Sequence, residues 1–74
     1  MSELYVLMKE SELVGVYTSH RKAMQALLMD TLKEGMVLKE YSFEFGVEFF
    51  TYIGPESGQP FLWEIQEVTP DIRV

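Results

Sequence analysis

Residues 37–53 alternate between two kinds of side chain over an unusual length, and this pattern constrains the fold more than any other feature. The first parity is mostly apolar and aromatic, and consists of Val37, Lys39, Tyr41, Phe43, Phe45, Val47, Phe49, Thr51 and Ile53. The second parity carries the carboxylates Glu40, Glu44 and Glu48. Because successive side chains of a strand point to opposite faces of a sheet, the segment is predicted to be extended, with its rings turned inward and its acids turned to water.

Gly46 lies within this segment and does not interrupt the alternation. We therefore favour one long bent strand over residues 37–53. A tight turn at Phe45–Gly46, which would divide the segment into two strands, is the alternative.

Two short strands are predicted before this segment and one after it. Residues 3–9 and 13–17 are apolar with β-branched and aromatic members, and the polar gap between them has the length of a hairpin turn. Gly15 indicates a bulge or the close approach of another element. Residues 61–68 follow a loop rich in glycine and proline and form the last strand.

Residues 20–34 are rich in good helix formers and predict the one helix of the chain. Thr18 or Ser19 can cap its N-terminus, and Gly35 is a natural stop. At 100° per residue, one stripe of the helix contains Met24, Leu27, Leu28, Thr31 and Leu32, with His20 on the same side.

The elements therefore follow the order β-β-α-β-β. We predict a single α+β domain over residues 1–74, with an antiparallel sheet and one helix packed across one face. The predicted core consists of Leu4, Val6, Val14, Val16, Met24, Leu27, Leu28, Leu32, Tyr41, Phe43, Phe45, Val47, Phe49, Phe61, Trp63 and Ile65.

Composition excludes several classes of protein. The chain has 74 residues, a net charge of -6 and no cysteine, so it is not built on disulfides or on a cysteine-ligated zinc ion. We expect no signal peptide, no membrane span and a cytoplasmic location. The acidic balance argues against direct nucleic-acid binding. A domain of this size is marginal by itself, so a protein partner or a homo-oligomer is expected.

Catalysis has little support in the sequence. His20 is the only side chain whose ordinary pKa is near neutrality, and the adjacent Ser19 is better explained as a helix cap than as a nucleophile. We therefore predict no catalytic residue, no metal and no cofactor. An enzyme or small-ligand domain that uses His20 and Arg21 is kept as a minor hypothesis.

Two charged constellations are candidate sites. His20, Arg21 and Lys22 place positive charge at a helix N-terminus, where backbone N–H groups also favour an anion. They form a possible anion site, or else they are solvated. The acidic set contains Glu40, Glu44, Glu48 and Glu64, which share one sheet face in this register. That face either imitates a nucleic-acid backbone or only keeps the protein soluble.

An aromatic patch is the third candidate site and the favoured one. Phe50, Tyr52 and Leu62 are apolar exceptions on an outer face that is otherwise polar in this register. They could cluster near one end of the sheet. Exposed aromatic anchors with a polar rim are typical of protein interfaces. We predict that these three residues bind a partner, and that Glu44, Glu48 and Glu64 steer a basic partner surface.

The run Leu13-Val14-Gly15-Val16-Tyr17-Thr18-Ser19, followed by a helix that contains Ala23, is similar to a pattern in many small bacteriophage and prophage proteins. These proteins open with a hairpin that ends in a Gly–hydrophobic–aromatic–Ser/Thr step. The resemblance covers residues 4–32. It implies a compact α+β domain that acts by occupying a host protein, and it carries over no catalytic residue.

The sequence thus predicts a small acidic, non-enzymatic protein-binding module, with a phage-type inhibitor or adaptor that acts on a host protein as the form suggested by the resemblance. The first alternative is an acidic nucleic-acid mimic that inhibits a DNA-binding enzyme. The second alternative is a self-associating structural protein, because a long aromatic strand invites edge pairing unless it is covered.

Overall fold

The computed structural model describes residues 3–56 and 58–69. The elements are β1 (Leu4–Lys9), β2 (Glu12–Tyr17), α1 (His20–Lys33), β3 (Val37–Glu44), β4 (Val47–Ile53) and β5 (Pro60–Val68). The five strands form one sheet in the order β2-β1-β5-β4-β3, and every neighbouring pair is antiparallel. This confirms the α+β class and the antiparallel sheet with one helix packed across one face.

Residues 37–53 form a hairpin, so the favoured prediction of one bent strand is wrong and its alternative is correct. β3 and β4 pair from Glu44↔Val47 outward, with Phe45 and Gly46 as the turn. Both turn residues are left-handed, with φ 51 and φ 76. Two consecutive residues with positive φ are typical of a two-residue hairpin turn, whose twist matches the right-handed twist of the two strands that it connects.

This turn changes which side chains share a face. Residues paired across an antiparallel ladder lie on the same face. Because Phe43 pairs with Glu48 and Tyr41 pairs with Phe50, the odd-numbered side chains of β3 between its bulge and the turn share a face with even-numbered side chains of β4. The alternation is continuous in the sequence, but the two faces exchange parity at the turn.

The helix begins as predicted, with Ser19 as N-cap accepting a hydrogen bond from the Lys22 backbone N–H at 3.2 Å. Its buried stripe is Ala23, Leu27 and Thr31. The Thr31 hydroxyl is satisfied by donation to the Leu27 carbonyl at 3.0 Å. The stripe is therefore rotated from the predicted one: Leu28 is 45% exposed and Leu32 is 77% exposed.

The core lies between this stripe and one face of the sheet, which we call the covered face. Its buried side chains are Leu7, Ala23, Leu27, Phe50, Tyr52, Trp63 and Ile65. Of the predicted core, Leu27, Trp63 and Ile65 are confirmed, and Met24 packs partly buried against them. The exposed members are Val14, Val16, Leu28, Leu32, Tyr41, Phe43 and Phe45. The half-buried members are Leu4, Val6, Val47, Phe49 and Phe61.

The helix packs mainly on β1, β2 and β5, so the β3–β4 hairpin extends beyond it. This gives the molecule its elongated dimensions of 50 × 22 × 18 Å. Within residues 3–56 and 58–69, no helix has the length and apolar character of a membrane-spanning segment.

Candidate functional site

Phe50 and Tyr52, predicted as exposed anchors, are buried in the core. They are 4% and 5% exposed, respectively. Phe50 pairs with Trp63 and Tyr52 pairs with Phe61, and these partners lie on the covered face. The prediction of their exposure is wrong because the turn at Phe45–Gly46 reverses the parity of β4. In this fold neither ring is available to a partner.

Leu62 lies on the opposite face of the sheet, which we call the open face. It pairs with Thr51, and its two strand neighbours Phe61 and Trp63 point to the covered face. The structure therefore separates Leu62 from the two aromatic side chains with which it was grouped. Glu64 and Glu44 also lie on the open face, paired with Phe49 and Val47.

The open face carries apolar side chains on all five strands, although on β3 Val37 is the only apolar side chain that register places there. Its half-buried apolar side chains are Leu4, Val6, Met8, Val47, Phe49, Ile53 and Leu62. Its exposed apolar side chains are Leu13, Val16, Val37 and Val68. The described part of the chain contains no element that packs on this face. With strand spacing of about 4.8 Å and about 3.3 Å per residue, the face covers roughly 500 Å², the size of a functional surface patch.

The charged side chains that register places on the open face are all negative. Register places Glu40, Glu44 and Glu64 on it, and none of the three has a salt bridge or a side-chain hydrogen bond to another described residue. Register places none of the described cations on this face. Lys9 lies over the rings of Phe61 and Trp63 on the covered face. The others are Arg21, Lys22 and Lys33 on the helix and Lys39 at the bulge of β3.

Glu48 lies on the covered side, apart from the three acids of the open face. Its Oε1 is 2.5 Å from His20 Nε2, and its Oε2 accepts a hydrogen bond from the Tyr41 hydroxyl at 2.7 Å. Its side chain is only 18% exposed. The predicted face shared by Glu40, Glu44, Glu48 and Glu64 is therefore not formed, again because of the reversed parity in β4.

A cleft of about 280 Å³ lies between the start of the helix and the hairpin. It is lined by Tyr5, His20, Tyr41, Phe43, Gly46, Glu48, Ile65 and Glu67. The Tyr5 and His20 rings meet edge to face, with centroids 5.8 Å apart. The Tyr5 hydroxyl is 3.3 Å from Glu3 Oε2 and 3.4 Å from Glu67 Oε2. The cleft thus combines aromatic walls with carboxylates.

The pKa values of the two tyrosines in the cleft are raised, in part by the carboxylates around them. Partial desolvation, and then the charges of Glu67 and Glu3, raise the pKa of Tyr5 above 10.0. The hydrogen bond to Glu48, with desolvation and the charge of the same group, raises the pKa of Tyr41 above 10.0. Both effects oppose the formation of a further negative charge.

The predicted anion site at the helix start does not bring its three side chains together. His20 turns to the sheet and contacts a carboxylate, whereas Arg21 and Lys22 are exposed. The Lys22 ammonium is 3.5 Å from the Thr18 hydroxyl, and its backbone N–H is used by the cap. Anion binding by Arg21 and Lys22 stays a prediction.

Sequence reasoning missed the exposed aromatic side chains Tyr41, Phe43 and Phe45, which it assigned to the core. The signal that could have found them is the turn itself. With a tight turn at Phe45–Gly46, Tyr41 and Phe43 of β3 lie on the face opposite to Phe49 of β4, so these three rings cannot belong to one core.

Among residues 3–56 and 58–69, no group of three or more His, Asp or Glu side chains is arranged to hold a metal ion. Comparison with known proteins gives no match: no protein-family model fits the chain, and no curated protein or solved structure is significantly similar.

Proposed function

We propose that this chain is a non-enzymatic protein-binding module whose open face receives a partner with an apolar and basic surface. The observation that supports the proposal is the open face: apolar side chains on every strand, with no described element covering them. A sheet that is apolar on both faces is normally covered on both faces. The helix covers one face, and the partner covers the other.

The chemistry of the partner follows from the charges. Glu64 lies on β5, the central strand, between its cross-strand neighbours Met8 and Phe49. A partner that covers this carboxylate with apolar groups alone would leave a buried charge unpaired, which costs several kcal/mol. A lysine or arginine set among apolar side chains pairs with Glu64, and Glu40 and Glu44 favour further basic groups at the rim.

The same charge argues against a second copy of the chain on this face. A two-fold contact uses the same patch on both molecules. It would bring two Glu64 side chains close together near the centre, and register places no described cation on the face beside them. A different protein is therefore the better occupant, and self-association becomes an outcome of the test.

An inhibitor or adaptor that acts on a host protein is the form of this activity that we expect. It agrees with the binding role implied by the resemblance of residues 4–32 to small phage proteins. The nucleic-acid mimic has less support, because its four glutamates lie on two faces of the sheet.

The test is site-specific photo-crosslinking in the cells from which the protein comes. A benzophenone amino acid replaces Phe49 on the open face, and in a matched control it replaces Leu32 on the outer surface of the helix. We expect position 49, but not position 32, to crosslink to one protein through a segment that contains apolar residues and Lys or Arg.

Charge reversal then tests the role of Glu64. We expect Glu64→Lys to lower the crosslinking yield at position 49 about tenfold, because the central ion pair becomes a repulsion. Glu56→Lys, an equal charge change in an exposed loop, leaves the yield unchanged. A crosslink to a second copy, an equal yield at position 32, or indifference to Glu64→Lys would overturn the proposal.

A further inference from the structure

We infer that the cleft between the helix start and the β3–β4 hairpin is a second binding site, which takes a weakly hydrated organic cation: a guanidinium group or an alkylated ammonium group. The cleft lies on the covered side of the sheet, away from the open face. The inference is therefore independent of the proposed function.

The walls of the cleft match such a cation. Tyr5, Tyr41 and Phe43 supply aromatic surface, and the face of an aromatic ring attracts a cation through its negative quadrupole. Phe43 is 60% exposed and Tyr41 is 49% exposed, so their rings are accessible. Guanidinium and alkylated ammonium groups lose little hydration against a ring, which favours them over a metal ion or a primary ammonium.

The polar groups of the cleft are acceptors for a cation. The Tyr41 hydroxyl donates a hydrogen bond to Glu48, and the Tyr5 hydroxyl lies next to the carboxylates of Glu3 and Glu67. Glu67 is exposed at the rim, where it can receive an N–H donor. His20 is held by Glu48, so the one potential cation that lines the cleft is already paired.

The size of the cleft limits its ligand. Its volume of about 280 Å³ lies just below the range of about 300–1,000 Å³ for pockets that hold drug-sized molecules. It can enclose one cationic head group but not a whole nucleotide. Two sources supply that chemistry, a free small amine and the side chain of a protein segment.

The test is a nuclear magnetic resonance titration of the ¹⁵N-labelled chain. The two probes are tetramethylammonium chloride, for a small alkylated amine, and N-acetyl-arginine amide, for a protein side chain. Sodium chloride at equal ionic strength is the reference. We expect saturable, millimolar binding of at least one probe, with shifts at the amides of Tyr5, Phe43 and Gly46. The tighter probe identifies the source.

Matched variants locate the site. Phe43→Ala weakens binding about two- to fivefold, because it removes one ring from the wall. Phe45→Ala removes an exposed ring from the same hairpin that does not line the cleft, and leaves binding unchanged. Glu67→Gln weakens binding severalfold, whereas Glu44→Gln, on the open face, does not.

Two results would overturn the inference: no saturable shift beyond the sodium chloride reference, or equal effects of Phe43→Ala and Phe45→Ala. A Phe49→Asp variant separates the inference from the proposed function. It disrupts the open face, and we expect its cation titration to match that of the unmodified chain.

Discussion

The two faces of the sheet carry similar apolar content, but the helix covers only one of them. The covered face buries Phe50, Trp63 and Ile65 in one core with residues of the helix, whereas the open face leaves Phe49, Val6 and Leu62 half-buried. Apolar side chains on a strand therefore do not identify the core by themselves. The difference is set by where the only helix of the described chain can pack.

Phe49 and Phe50 provide the largest test of this difference, because they are the same residue type on adjacent positions of one strand. Phe50→Ala empties a site in the core, and we expect a loss of about 3–5 kcal/mol in the free energy of unfolding. Phe49→Ala removes a ring that already contacts solvent, and we expect a loss of about 1 kcal/mol. Urea denaturation followed by Trp63 fluorescence measures both values.

If Phe50→Ala does not fold, Phe50→Leu gives a smaller loss on the same scale. Equal losses at the two positions would contradict the assignment of the faces. A larger loss at Phe49 would indicate that the open face is covered in solution, and dilution of the protein would then lower its stability.

The sequence predicted the faces of β5 correctly and those of β4 incorrectly, for one physical reason. In β5, Trp63 and Ile65 alternate with Glu64 and Gln66, so only one face can be the core. In β4, both parities contain a phenylalanine, and the strand carries only one acid. The assignment then depends on the turn, and its two left-handed residues are a property of the backbone that the alternation does not reveal.

The helix shows the same limit. Its position, N-cap and end were predictable from local signals, but its buried stripe was not. Hydrophobicity favours Leu28 and Leu32, yet the small Ala23 and the polar Thr31 are buried beside Leu27. Ala23 belongs to the same buried cluster as the large side chains Phe50 and Trp63. Which helix positions must be small depends on the shape of the surface that the helix packs on, and the helix's own sequence does not contain that information.

Gly15 tests the covered face at its β2 edge, where the predicted bulge occurs. The side chain that lies close to Gly15 is Tyr17 of the same strand, so the predicted close approach of another element is not what is found. A Cβ at this position would meet the Tyr17 hydroxyl oxygen at 2.6 Å, so the Tyr17 ring would have to leave its place against the core. We expect Gly15→Ala to cost about 1 kcal/mol of unfolding free energy.

The control for Gly15→Ala is the same change in a Tyr17→Ala background. Without the ring, the alanine only reduces the entropy of the unfolded chain, and we expect it to stabilise by about 0.4–1 kcal/mol. A double-mutant cycle in chemical denaturation measures the coupling. An equal cost in both backgrounds would mean that the ring does not cover Gly15.

Phe45 tests the turn that divides the two parities. Its side chain is fully exposed and its φ of 51 is unfavourable for an aromatic residue. Asparagine tolerates this conformation, and Asn-Gly is the preferred pair for such a turn. We expect Phe45→Asn to raise the unfolding free energy by about 0.5–1 kcal/mol. If residues 37–53 formed one bent strand, the same change would destabilise, since asparagine is a poor strand former.

The smallest expected effect is on the titration of Tyr41, and it distinguishes Glu48 on the covered face from Glu64 on the open face. Because the Glu48 hydrogen bond and charge raise the pKa of Tyr41, its neutral form is favoured in the fold. The contribution of neutral Tyr41 to stability is therefore fully present below pH 10.0 and is lost as pH rises through the higher pKa of the folded state.

Ultraviolet absorbance of tyrosinate, compared with a Tyr41→Phe variant, isolates the titration of Tyr41. Glu48→Gln should move it down toward pH 10.0, while Glu64→Gln, the same change on the open face, should leave it in place. A shift of the Tyr41 titration in Glu64→Gln would mean that Glu64 lies on the covered face, which would contradict the assignment of the two faces.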